Sequence, residues 1–263
     1  MLRSSTVLAV AAALLAAGPA HAALSPSQRH IADEIVSVFE NGTAEIQYCY
    51  IEDIHDGRGY TAGRAGFTTA TADLLEVAER YTSLVPDNPL APYLPRLREV
   101  ARDGSDSTEG LEGLPGAWQS ACQDPQQRAV QDQVVDETYF DPAAARARKA
   151  GLKLPLSTAI LYDTEIQMGG GDDPDGNPAL VRETTKKAGG TPRRHRTTEK
   201  RWITVFLSVR RRHLLHAHDP GTRDAWRHTT GRVDALAYLV KTGQWRLKAP
   251  VRIKTPLYDE TLR

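Results

Sequence analysis

The amino-acid sequence predicts a mainly helical protein of the α+β class, with one small β element near the start of the mature chain. Residues 25–42 open on Ser-Pro with a glutamine three residues after the serine, and aliphatic side chains then recur at helical spacing. Asp-Pro pairs at 124–125 and 141–142 predict two further helix starts, and the apolar run 154–168 predicts a buried helix. Between 47 and 67 the period changes to one typical of strands and turns. Residues 69–81 predict a second helix, and residues 251–258 predict a short extended tail.

Residues 1–22 have the pattern of a secretory signal peptide. Arg3 precedes a purely apolar run, and Ala20-His21-Ala22 has the small-x-small form that signal peptidase requires. The run is too short to anchor the chain in a bilayer. We therefore expect a secreted, extracellular or periplasmic protein that folds from residue 23 onward. The chain has 33 basic and 33 acidic residues, so its charge gives no reason to expect a nucleic-acid partner.

The predicted first helix ends at Asn41-Gly42, because both residues tolerate a left-handed backbone. Glu40 therefore lies in the last turn, where the negative end of the helix dipole disfavours a negative charge. A carboxyl group that keeps its proton is what a general acid requires. A glutamate at the solvated end of a surface helix would have the same signature, and that alternative stays open here.

The segment 50–61 is dense in carboxylates and contains a Gly-Arg-Gly turn. Asp56 and Gly57 predict a hairpin tip, where the carboxylate would be hydrated and ionised, as a general base must be. An ordinary turn aspartate explains the same pair of residues. The chain has only two cysteines, Cys49 and Cys122, and an oxidising compartment favours a disulfide between them over two free thiols.

Three other patterns invite an interpretation. Asp163 lies within the apolar run, so it needs a buried partner. His213, His216 and His218 have part of a metal-ligand spacing, but we see no carboxylate positioned with them and interpret them as a surface helix face. We expect no metal and no cofactor. The basic segment 189–201 has no interleaved aromatic residues, which favours a solvated loop over a nucleic-acid patch.

Several motifs occur in the order found in glycoside hydrolase family 46 chitosanases, and the sequence resembles that family over nearly all of the mature chain. The motifs lie at 38–41, 50–61, 66–67, 90–95, 139–143 and 231–234. The most specific is Glu-Asp-Ile-His-Asp-Gly-Arg-Gly-Tyr-Thr, which ends at Thr61. The resemblance implies a single bilobal, lysozyme-like domain over 23–263, with a small sheet in the minor lobe and a substrate cleft between the lobes.

The resemblance also implies an activity, namely endo-hydrolysis of the β-1,4 linkages of chitosan with inversion at the anomeric carbon. By this resemblance Glu40 is the general acid, Asp56 is the general base, and Thr61 holds the attacking water. The implied substrate contacts are Tyr50, Arg58, Asp73 and His228. The implied ion network behind the acid is Asp163, Arg210 and Arg232. We expect a monomer whose partner is the chitosan polysaccharide, with no membrane or nucleic-acid partner.

Two other functions share much of this evidence. A lysozyme-like enzyme that cleaves peptidoglycan would have the same fold but would need room for N-acetyl and lactyl groups. A secreted protein without catalytic activity could use the carboxylates only to bind amino sugars. The spacing of Thr61 five residues after Asp56 favours an enzyme, because a binding protein has no need to hold a water molecule.

Overall fold

A computed structural model describes residues 24–263, and the predicted signal peptide lies outside the described residues. The prediction of a mainly helical α+β protein is confirmed within this range. The helices, numbered α1 to α11 in chain order, span Pro26–Asn41, Asp73–Leu84, Leu94–Asp103, Leu114–Ala121, Pro125–Val135, Asp141–Ala150, Pro155–Met168, Asn177–Lys187, Glu199–Leu215, Pro220–Arg227 and Thr230–Lys241. The strands β1 to β5 span Ile51–Asp53, Tyr60–Ala62, Phe67–Thr68, Val251–Lys254 and Asp259–Leu262. In this part of the chain, no helix is both long and apolar enough to cross a membrane.

Helix α1 begins and ends as its sequence predicts. The Gln28 N–H donates to the Ser25 hydroxyl at 3.3 Å, and the Ser25 N–H donates to Gln28 Oε1 at 3.0 Å, which completes a capping box. Gly42 ends the helix in a left-handed conformation, with φ at 71°. These two ends fix Glu40 in the last turn of the helix.

The predicted β element is a three-stranded antiparallel sheet in the order β1-β2-β3. Glu52 pairs with Thr61, and Thr61 pairs with Thr68. Asp56 therefore lies in the connection between β1 and β2. The structure also contains the expected Cys49–Cys122 disulfide, which ties the start of this sheet to the end of α4.

The elements pack in two lobes that share one long helical connection. The sheet β1–β3 packs with α2, α4 and the elements around them, whereas α6–α11 pack with one another and with the β4–β5 hairpin. Helix α1 contacts α7 and β5 of the second lobe. The connection is α5, a π turn at Asp136–Phe140, and α6, which together form an unbroken helical path between the lobes.

Helix α6 begins at Asp141, as the Asp141-Pro142 pair predicts, but it does not start from a loop, because the π turn at Asp136–Phe140 joins it directly to α5. The structure corrects two local predictions. Helix α2 starts at Asp73 rather than Thr69, since Ala72 has a left-handed backbone with φ at 70°. The segment 251–258 is not a lone extended tail but contributes β4 to a hairpin with β5.

A buried polar network that the sequence did not reveal joins the lobes beneath α1. Asp33 Oδ1 forms an ion pair with Arg64 at 2.6 Å and accepts hydrogen bonds from Arg29 at 2.9 Å and from the Tyr162 hydroxyl at 3.0 Å. Arg64 also pairs with Asp132 of α5. Arg64 lies two residues after the end of β2, so this network fixes the sheet against the helix that carries Glu40.

We expect Arg64→Ala to lower the free energy of unfolding by about 3–5 kcal/mol, because it leaves the buried Asp33 carboxylate without its closest cation. Urea denaturation followed by circular dichroism measures this change. Arg98→Ala, which breaks an exposed pair with Glu79, is the matched control and should cost less than about 1 kcal/mol. Equal losses for the two variants would contradict a structural role for the buried network.

Candidate active site

Glu40 lies at the end of α1 with its side chain 38% exposed. Its Oε1 accepts a hydrogen bond from Arg232 Nη1 at 2.6 Å, and no described residue donates to its Oε2. The Arg232 guanidinium also lies over the Phe39 ring, 5.2 Å from the centroid. One carboxylate oxygen is thus held while the other remains open. The sequence predicts that the Glu40 carboxyl group lies at the C-terminal end of a helix. The structure shows that it also has a positively charged partner, Arg232.

Behind Arg232, the ion pairs continue into the core. Arg232 Nε donates to Asp163 Oδ1 at 2.7 Å, and Arg210 Nη1 donates to Asp163 Oδ2 at 2.6 Å. Asp163 and Arg210 are fully buried. Burial raises the pKa of Asp163, but the two guanidinium groups outweigh that effect and hold it below its usual value. The sequence predicts that the buried Asp163 needs a partner. The structure shows that it has two, Arg210 of α9 and Arg232 of α11.

Asp56 lies in the exposed turn between β1 and β2. Its Oδ2 accepts a hydrogen bond from Arg58 Nε at 2.8 Å, and its Oδ1 accepts one from the Arg58 backbone N–H at 3.1 Å. The Arg58 side chain thereby lowers the pKa of Asp56 below its ordinary value. The carboxylate stays ionised and open to solvent, as a base that activates water must be.

Thr61 lies in the middle of β2, five residues after Asp56, and is buried. Its hydroxyl oxygen is shielded and has no hydrogen-bond partner among the described residues. Buried hydroxyl groups are normally paired, so an unpaired one needs a ligand or a water molecule to account for it. Thr61 therefore has a free donor and acceptor at the sheet.

Asp73 lies at the first position of α2 and faces the end of the sheet. Its Oδ1 accepts hydrogen bonds from the Thr68 N–H at 2.7 Å, the Thr71 hydroxyl at 2.8 Å and the Leu74 N–H at 3.0 Å. No described residue donates to Oδ2. The carboxylate is therefore rigidly oriented, and one oxygen remains available for a ligand.

Tyr139 is a site residue to which the sequence analysis assigned no role. It is half-buried in the π turn, and burial raises the pKa of its hydroxyl, with further contributions from the charges of Asp73 and Glu40. Tyr139 is therefore within reach of the charges of a carboxylate from each lobe. The motif at 139–143 can be recognised in the sequence. The π turn that positions the Tyr139 side chain cannot, because no local residue pattern marks such a turn.

The other predicted contact residues lie on the surface. Tyr50 is 36% exposed, and its hydroxyl donates to Glu52 Oε2 at 3.0 Å. His228 is exposed at the C-terminal end of α10, and its side chain makes no hydrogen bond within residues 24–263. Glu40 and Asp56 form no direct hydrogen bond or ion pair with each other in the described chain.

Glu40 shares a narrow crevice with the segment that follows β2. Asp33 and Glu40 of α1 line one side, and Arg64 and Ala65 line the other. A larger depression lies elsewhere on the described surface. It is lined by Lys149, Thr185, Gly190, Thr191, Arg193 and Arg194, and its charge is positive.

We expect Arg232→Ala to lower both the melting temperature and the catalytic rate on chitosan, because it leaves Asp163 without one of its two cations and frees the Glu40 side chain. Asp163→Asn should have the same two effects. Differential scanning calorimetry and initial rates measure them, and the double variant should fall short of the sum of the single ones, because the residues are in contact. An Arg232→Ala protein that melts like the parent and keeps full activity would rule out this network as a support for Glu40.

The chain matches a known protein family over most of its length. The family model described as Glycosyl hydrolase family 46 matches residues 34–251. A chitosanase from Bacillus subtilis strain 168 is 48% identical over 237 residues, which cover 90% of this chain and 85% of that protein.

Two solved structures extend the similarity to the fold. The native chitosanase from Bacillus subtilis MY002 has a TM-score of 0.81 and 46% identity, covering 92% of this chain and 100% of that one. The family 46 chitosanase from Gynuella sunshinyii, solved in complex with chitotetraose, has a TM-score of 0.79 and 49% identity, covering 92% and 99%. Together with the pairing of Glu40 and Arg232, both inside the matched range, these similarities show that the chain belongs to glycosyl hydrolase family 46.

Proposed function

We propose that this glycoside hydrolase is an endo-acting chitosanase, which cleaves β-1,4 linkages between glucosamine units and inverts the anomeric centre. The observation that carries the proposal is the family match over 34–251, a range that contains Glu40, Asp56, Thr61, Asp73 and Arg232. The similar proteins named above are chitosanases, and one was solved with chitotetraose.

Glu40 acts as the general acid in this proposal. An inverting glycosidase needs one carboxylic acid to protonate the leaving oxygen and one carboxylate to activate water on the opposite face of the sugar ring. The hydrogen bond from Arg232 to Oε1 fixes the Glu40 side chain and leaves Oε2 as the atom that can hold and deliver a proton. Asp163 and Arg210 hold Arg232 in place and act only through it.

Asp56 acts as the general base, and Thr61 holds the water that attacks. The Asp56 carboxylate is exposed and is kept ionised by Arg58. The unpaired Thr61 hydroxyl supplies a hydrogen-bond partner for a water molecule next to the sheet. The absence of a direct contact between Asp56 and Glu40 in the described chain fits an inverting enzyme, in which a sugar and a water lie between the two carboxylates.

The substrate is a polycation, and the side chains around the site suit it. Asp73 has one oxygen available for an amino group, and Glu52 carries a further exposed carboxylate beside Tyr50. In a chain with no net charge, these groups form a local negative surface. We place Tyr50, Asp73 and His228 against the sugar units, with Arg58 acting next to Asp56.

We further propose that the protein is secreted as a monomer after cleavage near Ala22. The support is the sequence of residues 1–22 and the disulfide, which persists in an oxidising compartment. N-terminal sequencing of the protein recovered from the culture medium tests secretion and cleavage. Analytical ultracentrifugation tests the monomeric state.

We expect Glu40→Gln to lower kcat by at least about 100-fold while the melting curve stays near that of the parent, because glutamine keeps the shape but cannot donate the proton. Steady-state kinetics on soluble chitosan measures the loss. Glu45→Gln, at an exposed glutamate five residues further on, is the matched control and should behave like the parent. Retained activity in Glu40→Gln would show that another group is the acid.

We expect Arg58→Ala to move the acid limb of the kcat/KM pH profile to higher pH. Arg58 lowers the pKa of Asp56, so its removal raises that pKa, and the base is then lost by protonation at a higher pH as the solution is acidified. The profile of Arg98→Ala, a distant and exposed site, should keep the parent's acid limb. An unchanged limb in Arg58→Ala would contradict the assignment of Asp56 as the base that this limb reports.

Product analysis separates the proposed function from its alternatives. The enzyme should release oligomers from chitosan and leave chitin and peptidoglycan essentially uncut. Proton NMR during the first turnovers should show α-anomers, as inversion at a β-linkage requires. Preferential release of peptidoglycan fragments would favour a lysozyme-like enzyme, and binding of chitosan without any cleavage would favour a sugar-binding protein.

A further inference from the structure

A cluster of one carboxylate and two imidazoles lies outside the site described above. It consists of Asp175 in the loop before α8, His213 in the last turn of α9 and His218 in the segment that leads to α10. The sequence interpretation of a surface helix face without a carboxylate is therefore wrong. Helix α9 ends at Leu215, so His216 and His218 lie beyond it, and the loop before α8 brings Asp175 against His213 and His218.

Both imidazoles of the Asp175 cluster approach the same oxygen atom. His213 Nδ1 lies 2.6 Å from Asp175 Oδ1, and His218 Nδ1 lies 2.8 Å from it. The second oxygen of Asp175 accepts the His218 backbone N–H at 2.6 Å, so the carboxylate is held in one orientation. Asp175 and His213 are only 2% and 4% exposed, whereas the His218 side chain is 58% exposed.

The far side of His213 has the partner that metal-binding histidines usually have. Its Nε2 lies 3.0 Å from Glu183 Oε2 on α8 and 2.9 Å from Arg212 Nη2, and Glu183 is itself paired with Arg212 and, at 2.9 Å, with Lys187. In the tautomer whose Nε2–H donates to Glu183, the Nδ1 lone pair is directed at Asp175, and this is the tautomer that can bind a cation at Nδ1. Two lone pairs that converge on one carboxylate oxygen need a positive centre between them, which is either protons or a metal ion.

We propose that Asp175 Oδ1, His213 Nδ1 and His218 Nδ1 bind one divalent first-row transition-metal ion, with Zn²⁺ as the reference ion. The three atoms lie within 4.8 Å of one another, and two imidazoles with one carboxylate form a donor set that such ions prefer. Ligands of a tetrahedral zinc ion are about 3.3 Å apart, so the atoms now 2.6 Å apart (Asp175 and His213) need to separate by about 0.7 Å and those 2.8 Å apart (Asp175 and His218) by about 0.5 Å. The exposed His218 can supply the second movement, whereas the first requires a small rotation of the buried Asp175 or His213 side chain. The solvent-facing side of His218 leaves a fourth position for water.

The ion would act on structure rather than on the sugar. It would join the loop before α8, the end of α9 and the segment that enters α10, so that three stretches of chain separated by loops share one centre. A ligand that binds only the folded state stabilises it in proportion to the logarithm of its concentration over Kd. At zinc concentrations about 100 times Kd, the melting temperature should rise by about 5 °C.

The experiment uses the tag-free mature protein after treatment with a chelator. Competition with a chromogenic chelator gives the zinc stoichiometry and Kd, and Co²⁺ substitution gives visible absorption bands that report tetrahedral coordination. The parent should bind one ion per chain. His218→Ala removes an exposed ligand, so it should fold normally and bind zinc at least about tenfold more weakly, without the cobalt bands.

His216→Ala is the matched control, since it removes an exposed histidine two residues away that is outside the cluster. It should bind zinc and respond in melting temperature like the parent, and Asp175→Asn should resemble His218→Ala. The proposal is overturned if the parent binds zinc no more tightly than about 1 mM, or if His216→Ala and His218→Ala bind it equally. Either result would mean that protons alone hold the cluster together.

Discussion

The fully buried Asp163 is the constraint on which the arrangement of the site depends. A carboxylate in the core is stable only if cations neutralise it, and here Arg210 and Arg232 do so from two different helices. Arg232 then reaches Glu40 at the end of α1. Four helices, α1, α7, α9 and α11, are therefore tied to one another through charges that cannot be left unpaired. The position of the Glu40 carboxylate follows from the packing of the second lobe rather than from α1 alone.

The same helix carries a second set of constraints on its polar face. Asp33, Ser37 and Glu40 are spaced four and three residues apart, so they form one stripe along α1. Asp33 binds Arg64 beside the sheet, Ser37 donates to the Glu45 carbonyl at 2.7 Å, and Glu40 binds Arg232. The stripe lines the crevice between α1 and the segment after β2. Helix α1 thus holds the two lobes in a fixed relation while it presents the proposed acid.

Much of the site near α1 and the sheet could be predicted from local sequence, because local rules place it. The capping box and Gly42 define the ends of α1 and so the position of Glu40. The Asp56-Gly57 pair marks the turn that exposes Asp56, and Gly57 adopts a positive φ of 81° there. By contrast, the position of Tyr139 depends on a π turn that the Asp-Pro pair at 141–142 does not reveal. A proline signals that the turn before it must change, but not whether the helix stops or widens.

The sequence by itself determined the fold class, the ends of the first helix, the turn at Asp56 and, through its motifs, the family. These features depend on neighbours within a few residues or on a specific run of residues. Local patterns do not decide which charges meet: the family resemblance implied the network of Asp163, Arg210 and Arg232, and the tertiary structure shows the contacts. Asp163 lies 47 residues from Arg210 and 69 from Arg232, and Asp175 lies 38 residues from His213. The sequence indicates that a charged residue in an apolar run needs a partner. Which residue becomes that partner depends on how the helices pack, and the local spacing of apolar residues carries no information about this packing.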